Sequence, residues 1–179
     1  MPDTSRIYIP KRVSGMLRGI YTSRVTVVIA PDGCGKSTLV REFTSRTRPA
    51  GISLRTITGA GNTGECFAQI CAIVTGQEFA EPLSEREFMA VSQEFAAARP
   101  KKPLLIIVDC DCAACTALGN YRTAKLLRDC RCARFVFVSS AMKPAYRGLA
   151  HEMGFTLIER DSLSMNISCL LYTSPSPRD

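Results

Sequence analysis

The sequence contains one histidine, His151, which leaves little room for His-based catalytic triads or His-rich metal sites. No apolar run approaches the roughly 20 residues that a bilayer span requires. The opening stretch "MPDTSRIYIPKR" has no apolar signal core, which argues against secretion and for a cytoplasmic protein. There is no basic arm either. The net charge of +7 is spread along the chain, so it favours polyanions in general but equally suits a solubilising surface. Cysteine, by contrast, is plentiful. Nine thiols, an odd number, without a signal peptide point to reduced cysteines rather than a disulfide framework. The 179 residues suffice for one domain with a real core.

Strand-like and helix-like segments alternate. "VTVVIA" (25–30) is a short β-branched run suited to a strand buried on both faces. "KSTLVREFTSRT" (36–47) reads as a helix with Leu39, Val40 and Phe43 on one side, ended by Pro49 and Gly51. "ISLRTI" (52–57) is a second strand, "TGAGNTG" (58–64) a loop, and "ECFAQICAIV" (65–74) a helix. The next helix has the best-marked start. Ser84 and Glu87 form a capping box, Leu83 and Phe88 are placed for a hydrophobic staple, and Phe88, Val91 and Phe95 make a core stripe. Then come strand "LLIIVD" (104–109), helix "YRTAKLLRDC" (121–130), strand "FVFVSS" (135–140), helix "PAYRGLAHEMG" (144–154) and strand "FTLIE" (155–159). This alternation predicts an α/β fold: a mostly parallel, five-stranded sheet with helices on both faces. The tail "SCLLYTSPSPRD" (168–179) has no helical period. It reads as disordered, or as a translated sequencing adaptor, in which case the natural protein continues beyond about residue 167.

One motif joins strand to helix. Ala30, Pro31, Asp32, Gly33, Cys34, Gly35, Lys36, Ser37 and Thr38 fit the phosphate-loop spacing, with alanine where the first glycine usually stands. Loop amides from about Gly33 to Thr38 would face phosphate oxygens, and the helix N-terminus adds partial positive charge. Gly33 and Gly35 allow turns that side chains obstruct. Lys36 would reach the β- and γ-phosphates, and the Ser37 hydroxyl would bind Mg²⁺. The matching acid is Asp109, at the end of a different strand, as a Mg²⁺ ligand directly or through water. A second acid often follows at once to orient the attacking water; here Cys110 intervenes and Asp111 is the candidate. "FVFVSS" resembles the strand that lies between the other two in many such ATPases, with Ser139 and Ser140 as γ-phosphate sensors. Lys143 and Arg147 are possible positive charges downstream, though such residues are more often solvated. "CDCAAC" (110–115) and "CRC" (130–132) carry zinc-ligand residue types. In a parallel sheet they fall at opposite edges, some 17 Å apart, which argues against a shared metal.

The "YIPKR…ML" segment, "APDGCGKSTLV" and "LLIIVDCD" together resemble the STAND-type ATPase domain of LuxR-type, MalT-like transcriptional regulators, whose loop commonly begins with alanine-proline. "LIERDSLSM" is similar to the connector towards a following helical domain. The resemblance implies a lead-in segment (1–24), a P-loop NTPase domain (25–160), the start of a connector (161–167) and the tail. It implies ATP and Mg²⁺ as ligands, with Lys36, Asp109 and Asp111 in the catalytic roles. In the parent protein it also implies an inducer, self-association and a C-terminal DNA-binding helix-turn-helix. No membrane contact and no nucleic-acid site are expected in this piece. Two departures from the family, the split Asp109-Cys110-Asp111 and Ser139-Ser140 in place of Ser-Arg, speak against brisk hydrolysis. Three readings stay open: a slowly hydrolysing ATP switch, a nucleotide-binding module that does not hydrolyse, and a small P-loop kinase.

Overall fold

Strands β1 (Val25–Ile29), β3 (Leu104–Asp109) and β4 (Ala133–Ser139) are nearly continuous apolar runs because both faces of the sheet are covered. The computed structural model describes residues 8–79, 83–109, 117–142 and 155–159. With β2 (Ser53–Thr58) and β5 (Phe155–Glu159) these strands form one parallel, five-stranded sheet in the order β2-β3-β4-β1-β5. The predicted α/β class and the sheet are therefore present, and β4 lies between β1 and β3. Val25 pairs with Phe135 and Ile29 with Ser139, so the phosphate loop leaves the sheet beside the end of β4.

Side chains alternate between two cores, as the strand period of two requires. Val25, Val27, Ile106, Val108, Phe135 and Phe137 belong to one. Helices α3 (Thr63–Thr75), α4 (Glu85–Ala97) and α5 (Ala117–Asp129) close it with Phe67, Ile70, Phe88, Phe95 and Leu126. Val28, Leu105, Ile107, Val136 and Val138 belong to the other, closed by α1 (Lys11–Leu17), a 3₁₀ turn (Arg18–Tyr21) and α2 (Lys36–Thr47) through Val13, Leu17, Ile20, Val40 and Phe43. Burying a side chain such as Phe43 stabilises by roughly 1.5–3 kcal/mol.

Several boundaries differ from the sequence reading. Residues 11–21, read only as lead-in, form α1 and the 3₁₀ turn, and a hydrogen bond between the Ser23 and Thr156 hydroxyls ties the following residues to β5. Helix α5 begins at Ala117 rather than 121, α3 spans two residues more at its start and one at its end, and β4 begins two residues early. Its extra residues Ala133 and Arg134 pair with Leu104 and Leu105, so backbone pairing extends the strand past its apolar run. Lys143, the predicted helix 144–154 with His151 and Arg147, the connector and tail, and Cys110, Asp111, Cys112 and Cys115 lie outside the described residues.

Candidate functional site

The start of α2, like that of α1, has no side-chain cap. Its N-cap, Gly35, sits at φ +71°, and no side chain accepts a hydrogen bond from the first turn. The amides of Lys36, Ser37 and Thr38 have no intrahelical carbonyl to reach, and no acidic residue lies among them. Gly33, at φ +77°, supplies the second left-handed turn of the loop, which a larger residue would strain. Helix α3, in contrast, is capped by Asn62, whose side chain accepts from the Glu65 amide at 2.9 Å, while Glu65 accepts from the Gly61 amide at 2.7 Å.

The loop is anchored to β4 at its start and closed by a bond within itself. The Ala30 amide donates to the Ser139 carbonyl at 3.3 Å, and the Cys34 amide to the Pro31 carbonyl at 3.4 Å. Ala30 is buried, so alanine in place of the first glycine packs into the core without a left-handed angle. Pro31, Asp32 and Gly33 are exposed, and Cys34 is half-buried.

Five charged or polar side chains converge beside this start. The Lys36 ammonium is 3.1 Å from Asp32, its side chain 10% exposed against 84% for Asp32. An ion pair with one partner so exposed is worth at most about 1 kcal/mol, so Asp32 yields readily to a phosphate. The Ser37 hydroxyl donates to one oxygen of Asp109 at 2.7 Å. Arg41, one turn further along α2, donates to the other at 2.6 Å. Residues 72 positions apart, Ser37 and Asp109, thus meet across the carboxyl edge of the sheet.

Arg41 was not among the sequence-derived site residues. Its signal was available: it lies four positions after Ser37, hence on the same helix face. Ser139, read as a γ-phosphate sensor, is buried, and its hydroxyl donates to the Ala141 carbonyl at 2.8 Å, where it shapes the turn after β4. Ser140 is exposed at the same edge. Cys130 and Cys132 lie at the opposite, amino edge, before β4. Among the described residues no group of three or more His, Cys, Asp or Glu could hold a metal, and no helix is long and apolar enough to cross a membrane.

No protein-family profile matches the sequence, nor does any curated protein. Solved structures do match in fold. One is Drosophila ORC bound to AT-rich DNA and Cdc6, with a TM-score of 0.55 and 12% identity over 87% of this chain and 55% of that one. Another is Cdc6p from Pyrobaculum aerophilum, with a TM-score of 0.51 and 15% identity over 90% of this chain and 49% of that one. A third is a signal transduction ATPase with numerous domains (STAND) with a tetratricopeptide repeat sensor from Pyrococcus horikoshii. It gives a TM-score of 0.50 and 12% identity over 86% of this chain and 23% of that one. The chain thus spans about half the length of the first two and a quarter of the third. At these identities the likeness concerns the fold: a five-stranded parallel α/β sheet of the P-loop ATPase kind, shared with ORC, Cdc6 and a STAND protein.

Proposed function

We propose that this chain binds ATP with Mg²⁺ and serves as the nucleotide switch of a larger signal-responsive regulator. The uncapped start of α2, with Lys36 packed beside it and Ser37 bonded to Asp109, carries the reading. A phosphate group would supply the acceptors and the negative charge that this helix start lacks. The donor set fits Mg²⁺, a hard cation that prefers a hydroxyl and a carboxylate oxygen. When bound, Mg²⁺ would neutralise charge on the β- and γ-phosphates. Lys36 exchanges Asp32 for a phosphate oxygen. Ser37 and Asp109 would hold the metal, with Asp109 keeping the Ser37 hydroxyl in place. Asp111 remains the candidate for orienting a water.

Arg41 favours a second reading, a module that binds nucleotide without hydrolysing it. Its guanidinium holds the Asp109 oxygen that a metal would use, and a cation already there lowers the gain from a second one. The similarity to ORC and Cdc6, solved with DNA, and to a STAND protein supports placing the parent protein among nucleotide-controlled assemblies. The finer assignment rests on the Ala30-Pro31 loop: a cytoplasmic LuxR-type regulator that self-associates, binds an inducer and reaches DNA through a domain outside these residues.

Lys36→Ala tests the site. ATP affinity, measured by calorimetry with Mg²⁺ present, should fall by more than about 100-fold while the melting temperature changes little. Unchanged affinity refutes the phosphate-loop assignment. If Lys36 is intact and ATP binds but the full-length protein releases no phosphate, the non-hydrolysing reading holds.

A further inference from the structure

The amino edge of the sheet carries a second concavity, opposite the phosphate loop and independent of it. A cavity of about 610 Å³ opens between the residue before β1, the end of α4 and the α5–β4 connection. That volume lies within the range of small-ligand pockets. Its lining holds four guanidiniums, Arg24, Arg99, Arg131 and Arg134, and no carboxylate.

The arginines fall into two pairs. Arg24 and Arg99 are fixed. Arg24 uses Nη2 alone, on the carbonyls of Leu127, Arg128 and Cys130 at the end of α5, with the Arg128 bond at 2.8 Å. Arg99 uses Nη1 alone, on the carbonyls of Ala96 and Ala98 at the end of α4, at 3.0 and 2.8 Å. Each thereby answers the partial negative charge of a helix C-terminus, and each keeps its remaining N–H donors. Arg131 and Arg134 make no hydrogen bond or ion pair with the described residues. The nearby carboxylate is already engaged: Asp129 is 3.2 Å from Lys125 and 3.6 Å from Arg128. The neighbouring thiol adds no negative charge, since burial pushes Cys130 up to about 12.

Helix C-termini offset at most about one unit of positive charge between them, so the cavity keeps a clear excess. Unspent planar donors in a concave site suit tetrahedral oxyanions, which guanidinium binds in a bidentate manner. We propose that this cavity is a second ligand site, taking a small organic molecule that carries two or more phosphate groups, held by Arg131 and Arg134 over a floor fixed by Arg24 and Arg99. A small molecule rather than a nucleic-acid duplex follows from shape, because the charge is gathered in a pocket and not along a stripe.

Tripolyphosphate is the probe, and Lys36→Ala the background that removes the phosphate loop. In that background calorimetry should show tripolyphosphate binding, weakened by about tenfold or more in Arg131→Ala/Arg134→Ala. The double variant should retain the ATP binding of the phosphate loop when Lys36 is present. Circular dichroism confirms folding, and Arg131→Lys/Arg134→Lys, which retains charge without the fork, should bind at an intermediate level. Absence of tripolyphosphate binding in the Lys36→Ala protein, or binding indifferent to both arginines, overturns the proposal. So does tighter binding of a short DNA duplex than of tripolyphosphate at equal salt. Because every tripolyphosphate measurement is made with the loop disabled, failure here leaves the ATP assignment standing.

Discussion

Helices α2 and α4 begin in opposite ways. At α4 the chain completes its own start: the Glu87 carboxylate accepts from the Ser84 amide at 2.7 Å, and the Ser84 hydroxyl accepts from the Glu87 amide at 3.3 Å. Leu83 and Phe88 share the core cluster below, as a hydrophobic staple requires. At α2 a left-handed glycine stands where a cap would be, and the first turn carries a lysine instead of an acid. Both helices are similar in length and both are packed on the sheet, so α2 does not need its cap in order to fold. Locally inconsistent sequence inside an otherwise consistent fold marks function, and the missing partner has the charge and acceptors of a phosphate.

Giving α2 an acid of its own should break the contrast. Gly35→Asp places a carboxylate at the N-cap, where the left-handed angle is more tolerable to Asp than to most residues. Two unit charges about 4 Å apart repel by roughly 4 kcal/mol at an effective dielectric near 20. ATP affinity should therefore drop by roughly 1,000-fold in calorimetry. The melting temperature should fall modestly, since a side chain at φ +71° strains the turn and the helix dipole offsets only part of that cost. A variant that binds ATP normally would show that the uncapped start is not a phosphate site.

A smaller effect is expected at Arg41, the residue that makes the α2 site unlike a bare Mg²⁺ cradle. The Arg41 side chain is 52% exposed and that of Asp109 13%, so solvent screens the pair. Arg41→Ala frees one oxygen of Asp109. The Mg²⁺ concentration that half-saturates ATP binding should fall by roughly two- to fivefold. A rise would instead make Arg41 a nucleotide contact.

The same contrast explains what the sequence revealed. Helix α2 was legible from end to end because a phosphate loop fixes its first residue, and Pro49 and Gly51 mark where it stops. Helix α4 was legible through its cap, and β3 and β5 through apolar runs bounded by polar residues. Helix α1 was missed because its apolar residues, Val13, Met16 and Leu17, are diluted by Lys11, Arg12 and Gly15, and only the sheet beneath reveals which face matters. The start of α5 was missed because Gly119 and Asn120 are poor helix formers. At the site, Lys36, Ser37 and Asp109 could be named from motif spacing. Arg41 was not named although it lies four positions after Ser37; its pairing with Asp109 belongs to no motif, and the strand order brings the two together.

At α4 the cap itself should contribute on the order of 1 kcal/mol. Ser84→Ala removes the acceptor for the Glu87 amide and should cost about that much. For a chain of this size the melting temperature should fall by roughly 2–4 °C. ATP affinity should be untouched, since α4 lies on the other face of the sheet from α2. A change in affinity would mean that the two helix starts are coupled.

The smallest effect sharpens the contrast through pH. The hydrogen bonds from the Ser84 hydroxyl and then the Ser84 amide hold the Glu87 carboxyl below its ordinary value of 4.5. A depressed folded-state value means that the unfolded chain binds the proton more readily. The stabilisation is therefore complete above the unfolded value and fades as the pH falls through the folded one. Glu87→Gln keeps a side chain that can close the capping box but cannot ionise. The gap in melting temperature between wild type and Glu87→Gln should be small at about pH 6 and shrink as the pH falls through the depressed range of the Glu87 carboxyl. A gap that persists in acid would assign the effect to packing instead of charge.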